Sequence, residues 1–400
     1  MKLGLVSLIT KTADLPAVAV PPILASNLRP ETDCDLNVVE LARHIVSRGH
    51  EVTVFAADAF TPKTRCPKEL GLEIDYLGTF MPKVFPAAIF PFTPSLADRL
   101  RSGAYDAVLS AEMFQSGTLL TWFAAKDLAT RLFVWQELDV LMRGPAGQAQ
   151  KAFYRTLGRK MASDLGGIVT RSLSARRHLL DHGVPEERIA EKVVHSGVDC
   201  QLFRPSDRER ARERFGLERF DDVLLSVARV HPNKGLDIMV RAMPRLLRQR
   251  PGAVLVIKGT GPQLDELRAL VRSLELEPHV KMLTDHIPRE DMPLLFGAAD
   301  LLLVTSRIDL FPFTAIESIS CGVPVATSFG RGLRTDIVDK GAGFLIPPGP
   351  EPVADGVAAL LQDKGRLRST GARGRELALS DFDFEVGAQR LCAVFQEVGG

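Results

Sequence analysis

Residues 299–328 read ADLLLVTSRIDLFPFTAIESISCGVPVATS. The apolar run at 301–304 has the length and bulk of a strand buried on both faces of a parallel sheet. A polar loop, 305–309, follows. Pro312 suits the first position of a helix, because it lacks the N–H that would be orphaned there and its φ is preset. That helix carries Glu317 and stops at Cys321-Gly322, with glycine as the left-handed cap, and a second strand follows at 324–327. In open α/β sheets ligands bind beyond the carboxyl ends of the strands. The unbonded N–H groups and dipole of a helix N-terminus attract an anion there. Asp309 and Glu317 flank this terminus eight positions apart. Carboxylates beside an anion site would repel phosphate, so they are placed to read hydroxyls. A ligand with both groups is a nucleotide or a sugar phosphate.

The same residues carry a family likeness. The stretch resembles the signature of the retaining glycosyltransferases of the large group 1 family, which have a Glu-x7-Glu motif and two Rossmann-like domains around a central cleft (GT-B). Asp309 stands for the first Glu and Glu317 for the second, and the likeness extends through Ser306, Phe311, Gly322, Pro324 and Val325. It covers most of 195–350 and, more thinly, the N-terminal half. The resemblance implies that Glu317 binds the ribose hydroxyls of a nucleotide-sugar and that Asp309, one methylene shorter than Glu, contacts the donor sugar. It places Phe311 and Ile287 on the donor side as well. Pro312 stands where the family has glycine, leaving the N–H groups of Phe313 and Thr314 to meet phosphate or sugar.

Working back from this centre, Arg229 and Lys234 occupy a loop (VARVHPNKG) between a strand and a helix. Two cations five residues apart can grip a diphosphate, Arg as a fork and Lys as a point charge, although without the central stretch a solvated basic loop would be the favoured reading. The resemblance gives them the leaving diphosphate. Gly259-Thr260-Gly261-Pro262 also follows a strand; it lacks the third glycine of a dinucleotide fingerprint. It resembles the family's Gly-x-Gly-Pro loop near the nucleotide, and a plain turn fits it as well.

The N-terminal half opens strand (2–9), helix (about 33–48), strand (51–56). Thr32-Asp33 stand where the family has Gly-Gly. Asp33 reads as a helix cap or as a group facing an acceptor. Glu112, Gln136 and Glu137 fall just past further strands, 106–110 and 131–135, on the acceptor side of the site the resemblance implies. A basic amphipathic helix is expected at 151–162 and a Pro-broken apolar loop at 80–96.

Length and composition bound these readings. Four hundred residues exceed one core, which makes two domains the default. The expected boundaries are 1–197, 198–378 and a segment 379–400 that, in the family, returns to pack on the first domain. A formal net charge of +1 gives nucleic acid no support as a partner. The five scattered cysteines suit a reducing cytoplasm. Runs of apolar residues fall short of the ~20 that span a bilayer, so at most weak peripheral membrane contact is expected. Asp33-x-Asp35 and Asp381-x-Asp383 follow no strong strand, and no cluster of converging oxygens accompanies them, so no metal site is read. The expectation is a cytoplasmic enzyme that uses a nucleotide-sugar as co-substrate, with no metal or other cofactor, and an unknown sugar, lipid or small-molecule acceptor. The alternatives are an epimerase-type enzyme of the same fold and a non-catalytic nucleotide-sugar-binding relative.

Overall fold

The computed structural model describes residues 1–8, 37–58, 68–81, 90–126, 128–142, 144–195, 197–307, 309, 311–328 and 332–397. Among them, short runs of branched and aromatic side chains pair into two six-stranded sheets, each parallel throughout. The chain divides into two units, Met1–Gly197 with Phe384–Gly400, and Val198–Asp383.

The first unit contains β1 (Lys2–Val6), β2 (Glu51–Ala57), β3 (Leu72–Leu77), β4 (Ala107–Ala111), β5 (Arg131–Gln136) and β6 (Gly167–Thr170), in the order β3-β2-β1-β4-β5-β6. The second contains β7 (Asp222–Val227), β8 (Ala253–Lys258), β9 (Val280–Leu283), β10 (Leu301–Val304), β11 (Val325–Thr327) and β12 (Gly343–Leu345), in the order β12-β11-β10-β7-β8-β9. Relabelled from its own first strand, the second sheet has the same 3-2-1-4-5-6 order as the first. This is the doubly wound Rossmann topology, whose order reverses between the first and fourth strands. The switch points are β1/β4 in one unit and β7/β10 in the other.

Periodicity does not mark the central strands, because both faces are covered: Leu301, Leu302 and Leu303 are all at most 3% exposed. In the first unit the helix Phe384–Glu397 buries Phe384, Ala388, Leu391 and Phe395 with Val39, Ala42 and Ile45 of the helix Asn37–Ser47. Phe395 meets Phe133 of β5 edge-on at 4.9 Å, and Glu385 reaches Arg48 at 2.6 Å. The return to the first unit was expected at 379. It falls at 384 instead, because 378–382 continue helically from Lys364–Leu377 within the second unit.

At the amino ends of β7 and β10 two aspartates are buried, Asp222 and Asp300. Arg250 holds Asp222 at 2.7 Å and Lys364 bridges both carboxylates. Arg208 and Arg212 (2.8 Å) hold Asp300, which also accepts the N–H of Val223 at 2.8 Å. Burial alone would raise the Asp300 carboxyl; Arg208, the Val223 N–H and Lys364 outweigh it and keep it below the usual range.

Two details differ from the sequence reading. Strand β3 (LEIDYL) was not expected; as the edge strand it mixes buried Leu72 and Leu77 with exposed Glu73 and gives little apolar signal. Pro312 is the N-cap and not the first helical residue: its ψ of 120° is extended, and the helix runs Phe313–Ser320. Gly322, at φ 75°, ends it in the left-handed region.

Candidate functional site

The loops that leave β7 and β10 meet at the switch point of the second sheet. After β7 the chain forms a half-buried stretch with Arg229, a short turn Pro232–Lys234, and Gly235 in the left-handed region at φ 61°. A side chain at Gly235 would place its Cβ 2.1 Å from the carbonyl oxygen of Thr305, so only glycine lets the loops close on one another. Thr305 Oγ1 donates to the Gly235 carbonyl at 2.8 Å. Lys234, 7% exposed, donates to Asp309 Oδ2 at 2.7 Å, and Ser306 Oγ donates to the same oxygen at 3.0 Å. Burial first, then the positive charges of Arg229 and Lys234, lower the pKa of His231. Its neutral ring accepts the Asn233 N–H through Nδ1 at 3.3 Å. Two cations are therefore held beside a neutral imidazole at one sheet end.

The helix Phe313–Ser320 starts beside this loop pair. Ala315 N–H is taken by the Pro312 carbonyl at 3.0 Å. Among the described residues nothing accepts from the N–H groups of Phe313 and Thr314, which leaves two donors at a positive dipole end. Glu317 lies in the second turn. Burial pushes its carboxyl up to about 7, and only the positive charge of Arg289 opposes this. Among the described residues no hydrogen bond reaches the Glu317 carboxylate, although it is only partly exposed. A desolvated acceptor beside vacant N–H donors is complementary to a ligand carrying both hydroxyls and an anion.

Other donor-side expectations fare differently. The ring of Phe311 is 7% exposed and packs on Phe382 at 5.8 Å, so its side chain serves the core. Ile287 is partly buried against the same core. A Cβ on Gly259 or Gly261 would fall 2.0 Å from the Ala228 oxygen or 2.3 Å from the Val230 oxygen, and Val230 donates to the Thr260 carbonyl at 2.9 Å. These glycines let the 259–262 turn press against the backbone of the loop that carries Arg229. Arg289 and the Arg307–Asp237 ion pair were not singled out from the sequence. Their partners lie too far along the chain for spacing to reveal them.

In the first unit a small pocket opens at the ends of β1, β4 and β5, lined among others by Ser7, Val38, Glu112, Trp135, Glu137 and Arg171. Glu112, at φ 63°, accepts the N–H groups of Glu137 (2.8 Å) and Leu138 (3.1 Å) and the side-chain amide of Gln136 (2.6 Å). Burial, followed by the charge of Glu137, pushes Glu112 up to about 8 against those donors. Arg171 lies over the Trp135 ring at 4.3 Å and pairs with Glu137 at 2.8 Å. Glu112, Gln136 and Glu137 thus come together as the sequence order suggested, while Asp33 lies outside the described residues. Trp135 and Arg171 are additions from the structure.

The profile described as glycosyl transferases group 1 matches residues 207–377, and that of a glycosyl transferase 4-like domain matches 37–191. A D-inositol 3-phosphate glycosyltransferase of Kineococcus radiotolerans is 32% identical over 373 residues, covering 85% of each chain. The chain belongs to the glycosyl transferases group 1 family. Two other relatives of the same name align over less. The match to that of Segniliparus rotundus is 33% identical and spans 51% of this chain and 46% of that protein. The match to that of Thermobispora bispora, 32% identical, spans 64% of this chain and 62% of that protein. Among solved structures, Anabaena HepE in complex with UDP shares the fold at a TM-score of 0.75 and 19% identity, over 99% of this chain and 100% of that one. Sucrose-phosphate synthase from Thermosynechococcus elongatus does so at 0.75 and 19%, over 100% and 99%. In this group 1 family member Asp309 and Glu317 both lie beyond the carboxyl end of β10.

Proposed function

We propose that the second unit holds a nucleotide-sugar at the ends of β7 and β10, and that the enzyme passes the sugar to a hydroxyl acceptor with retention of anomeric configuration. The observation that carries this reading is the Glu317 carboxylate, without a hydrogen bond among the described residues, beside the N–H groups of Phe313 and Thr314, which likewise have no acceptor among them, with Arg229 and Lys234 on the neighbouring loop. Glu317 receives the ribose hydroxyls. Arg229 and Lys234 oppose the charge that grows on the departing diphosphate, which is larger in the transition state than in the bound donor. These two cations make a metal unnecessary in this scheme. Asp309, buried and engaged at Oδ2 by Lys234 and Ser306, holds the lysine beside the donor.

The pocket of the first unit supplies the acceptor side. Glu137 and Arg171 offer adjoining hydroxyl acceptors and donors above the Trp135 face. The names of the relatives make D-inositol 3-phosphate the first acceptor to test, and the UDP and UDP-glucose bound by HepE make UDP-sugars the first donors. Among the described residues no helix is long and apolar enough to cross a membrane, and we place the reaction in the cytoplasm. The test is to incubate the protein with UDP- and GDP-sugars, with and without acceptor, and to read products by mass spectrometry and anomeric proton couplings. A new glycoside of the donor's configuration, formed equally in excess EDTA, is the expected result. An acceptor-independent epimer, or an inverted product, would overturn the reading.

A further inference from the structure

We propose that Arg307 is a positioning residue for Lys234, acting by clamping the turn that carries the lysine. The inference rests on the assignment of Lys234 to the donor's diphosphate and names what keeps it in place. Arg307 leaves the end of β10, whereas the turn leaves the end of β7. The Arg307 backbone N–H donates to the Asn233 carbonyl at 2.7 Å, and its Nη1 donates to the Pro232 carbonyl at 2.7 Å. Its guanidinium also forks onto Asp237, Nη1 to Oδ1 at 2.8 Å and Nη2 to Oδ2 at 2.7 Å. One side chain therefore grips the chain on both sides of Lys234, at 232 and at 237, and the backbone N–H of the same residue adds a bond at 233. Thr305 and the glycine-only contact at Gly235 close the remaining side.

The pair is poorly placed to serve global stability. The side chains of Arg307 and Asp237 are 45% and 38% exposed, and ion pairs that open to water contribute little to folding. Arg307 instead donates twice to carbonyls of a three-residue turn, once from its guanidinium and once from its backbone N–H, where these bonds fix the direction in which the lysine leaves the backbone. The ammonium itself is drawn to Asp309, which holds it at 2.7 Å. Without the clamp the turn would be free to follow that pull and carry the ammonium away from the phosphate.

The test measures affinities for UDP against UMP, and for GDP against GMP, by calorimetry on the full chain. The ratio within the tighter pair isolates the β-phosphate. Arg307→Ala should lower that ratio about tenfold, short of the ~10²-fold cost of a 1 Å misplacement, and leave the monophosphate affinity unchanged. In a Lys234→Gln background, which keeps a donor for Asp309, Arg307→Ala should have no further effect. The charge-swapped pair Arg307→Asp with Asp237→Arg should recover part of the loss. Equal losses for di- and monophosphate, or losses that add in the Lys234→Gln background, would overturn the positioning role while leaving the donor site standing. A parent protein that binds diphosphates no better than monophosphates would overturn the Lys234 assignment and this inference with it.

Discussion

The two ends of the second sheet are both rich in charge, and they are built on opposite terms. At the amino end Asp222 and Asp300 are buried and saturated: Arg208, Arg212, Arg250 and Lys364 converge on them, and the Val223 N–H fills a further acceptor site. At the carboxyl end Lys234 and Asp309 are paired, yet Glu317 is desolvated with no hydrogen bond among the described residues. A buried charge with a full set of partners is a structural fastener, because nothing is left for a ligand to satisfy. A desolvated carboxylate without them is held at a cost in stability that a ligand's donors can offset. The pKa directions carry the same contrast, since Asp300 is held down and Glu317 is pushed up.

The comparison is sharpest where a variant should affect one end and spare the other. The largest effect expected is on folding. Asp300→Ala strands Arg208 and Arg212 and should destabilise the protein by about 3–5 kcal/mol, read from denaturant melts. At temperatures where the variant is folded its nucleotide affinity should be unchanged. Next, Arg229→Ala should lower kcat by about 10²–10³ with a smaller change in donor KM, by analogy with the loss of one oxyanion-hole donor. Steady-state kinetics with the donor that the product assay selects would measure this. Near-normal kcat would remove Arg229 from the reaction.

Acid–base behaviour offers a smaller but well-signed effect. The carboxyl of Glu317 titrates near 4.5 when unfolded and at about 7 when folded. The folded state binds the proton more tightly, so its contribution to stability is present below 4.5 and is lost as pH rises through about 7. Asp300 has the opposite sign: its depressed value stabilises above the usual 3.8, and this is lost as pH falls through the folded value. Melting temperatures between pH 5 and 8 should therefore fall more steeply in the parent than in Glu317→Gln. Parallel curves would mean that Glu317 is ordinarily solvated. Over the same interval UDP affinity should rise several-fold in the parent, as Glu317 ionises into the better acceptor, and stay flat in Glu317→Gln.

Much of this was legible before any coordinates. The 301–304 strand, the glycine stop and the Asp309–Glu317 spacing are local signals, written within thirty residues, the alternation of strands and helices implied a parallel sheet, and the family resemblance implied two Rossmann-like domains. What escaped has a common physical cause. Arg307 meets Asp237 across seventy positions, and Gly259 and Gly261 are glycine because the 228–230 backbone lies against them. Strand β3 hid at a sheet edge, where half its residues need not be apolar. Pro312 was read one position too far into its helix, because proline serves both the cap and the first turn and only ψ decides between them.

The central claim is that the carboxyl end of the second sheet is open for a nucleoside diphosphate and that Glu317 is its ribose acceptor. The most direct measurement is the UDP and GDP affinity, by calorimetry at pH 8, of the parent, Glu317→Ala and Asp222→Asn. Loss of hydrogen bonds to a charged group amounts to about 1.5–3 kcal/mol, so Glu317→Ala should weaken the preferred diphosphate by roughly 10- to 100-fold. Asp222→Asn, at the saturated end, should bind within twofold of the parent. Unchanged binding by Glu317→Ala, or equal losses in both variants, would contradict the account.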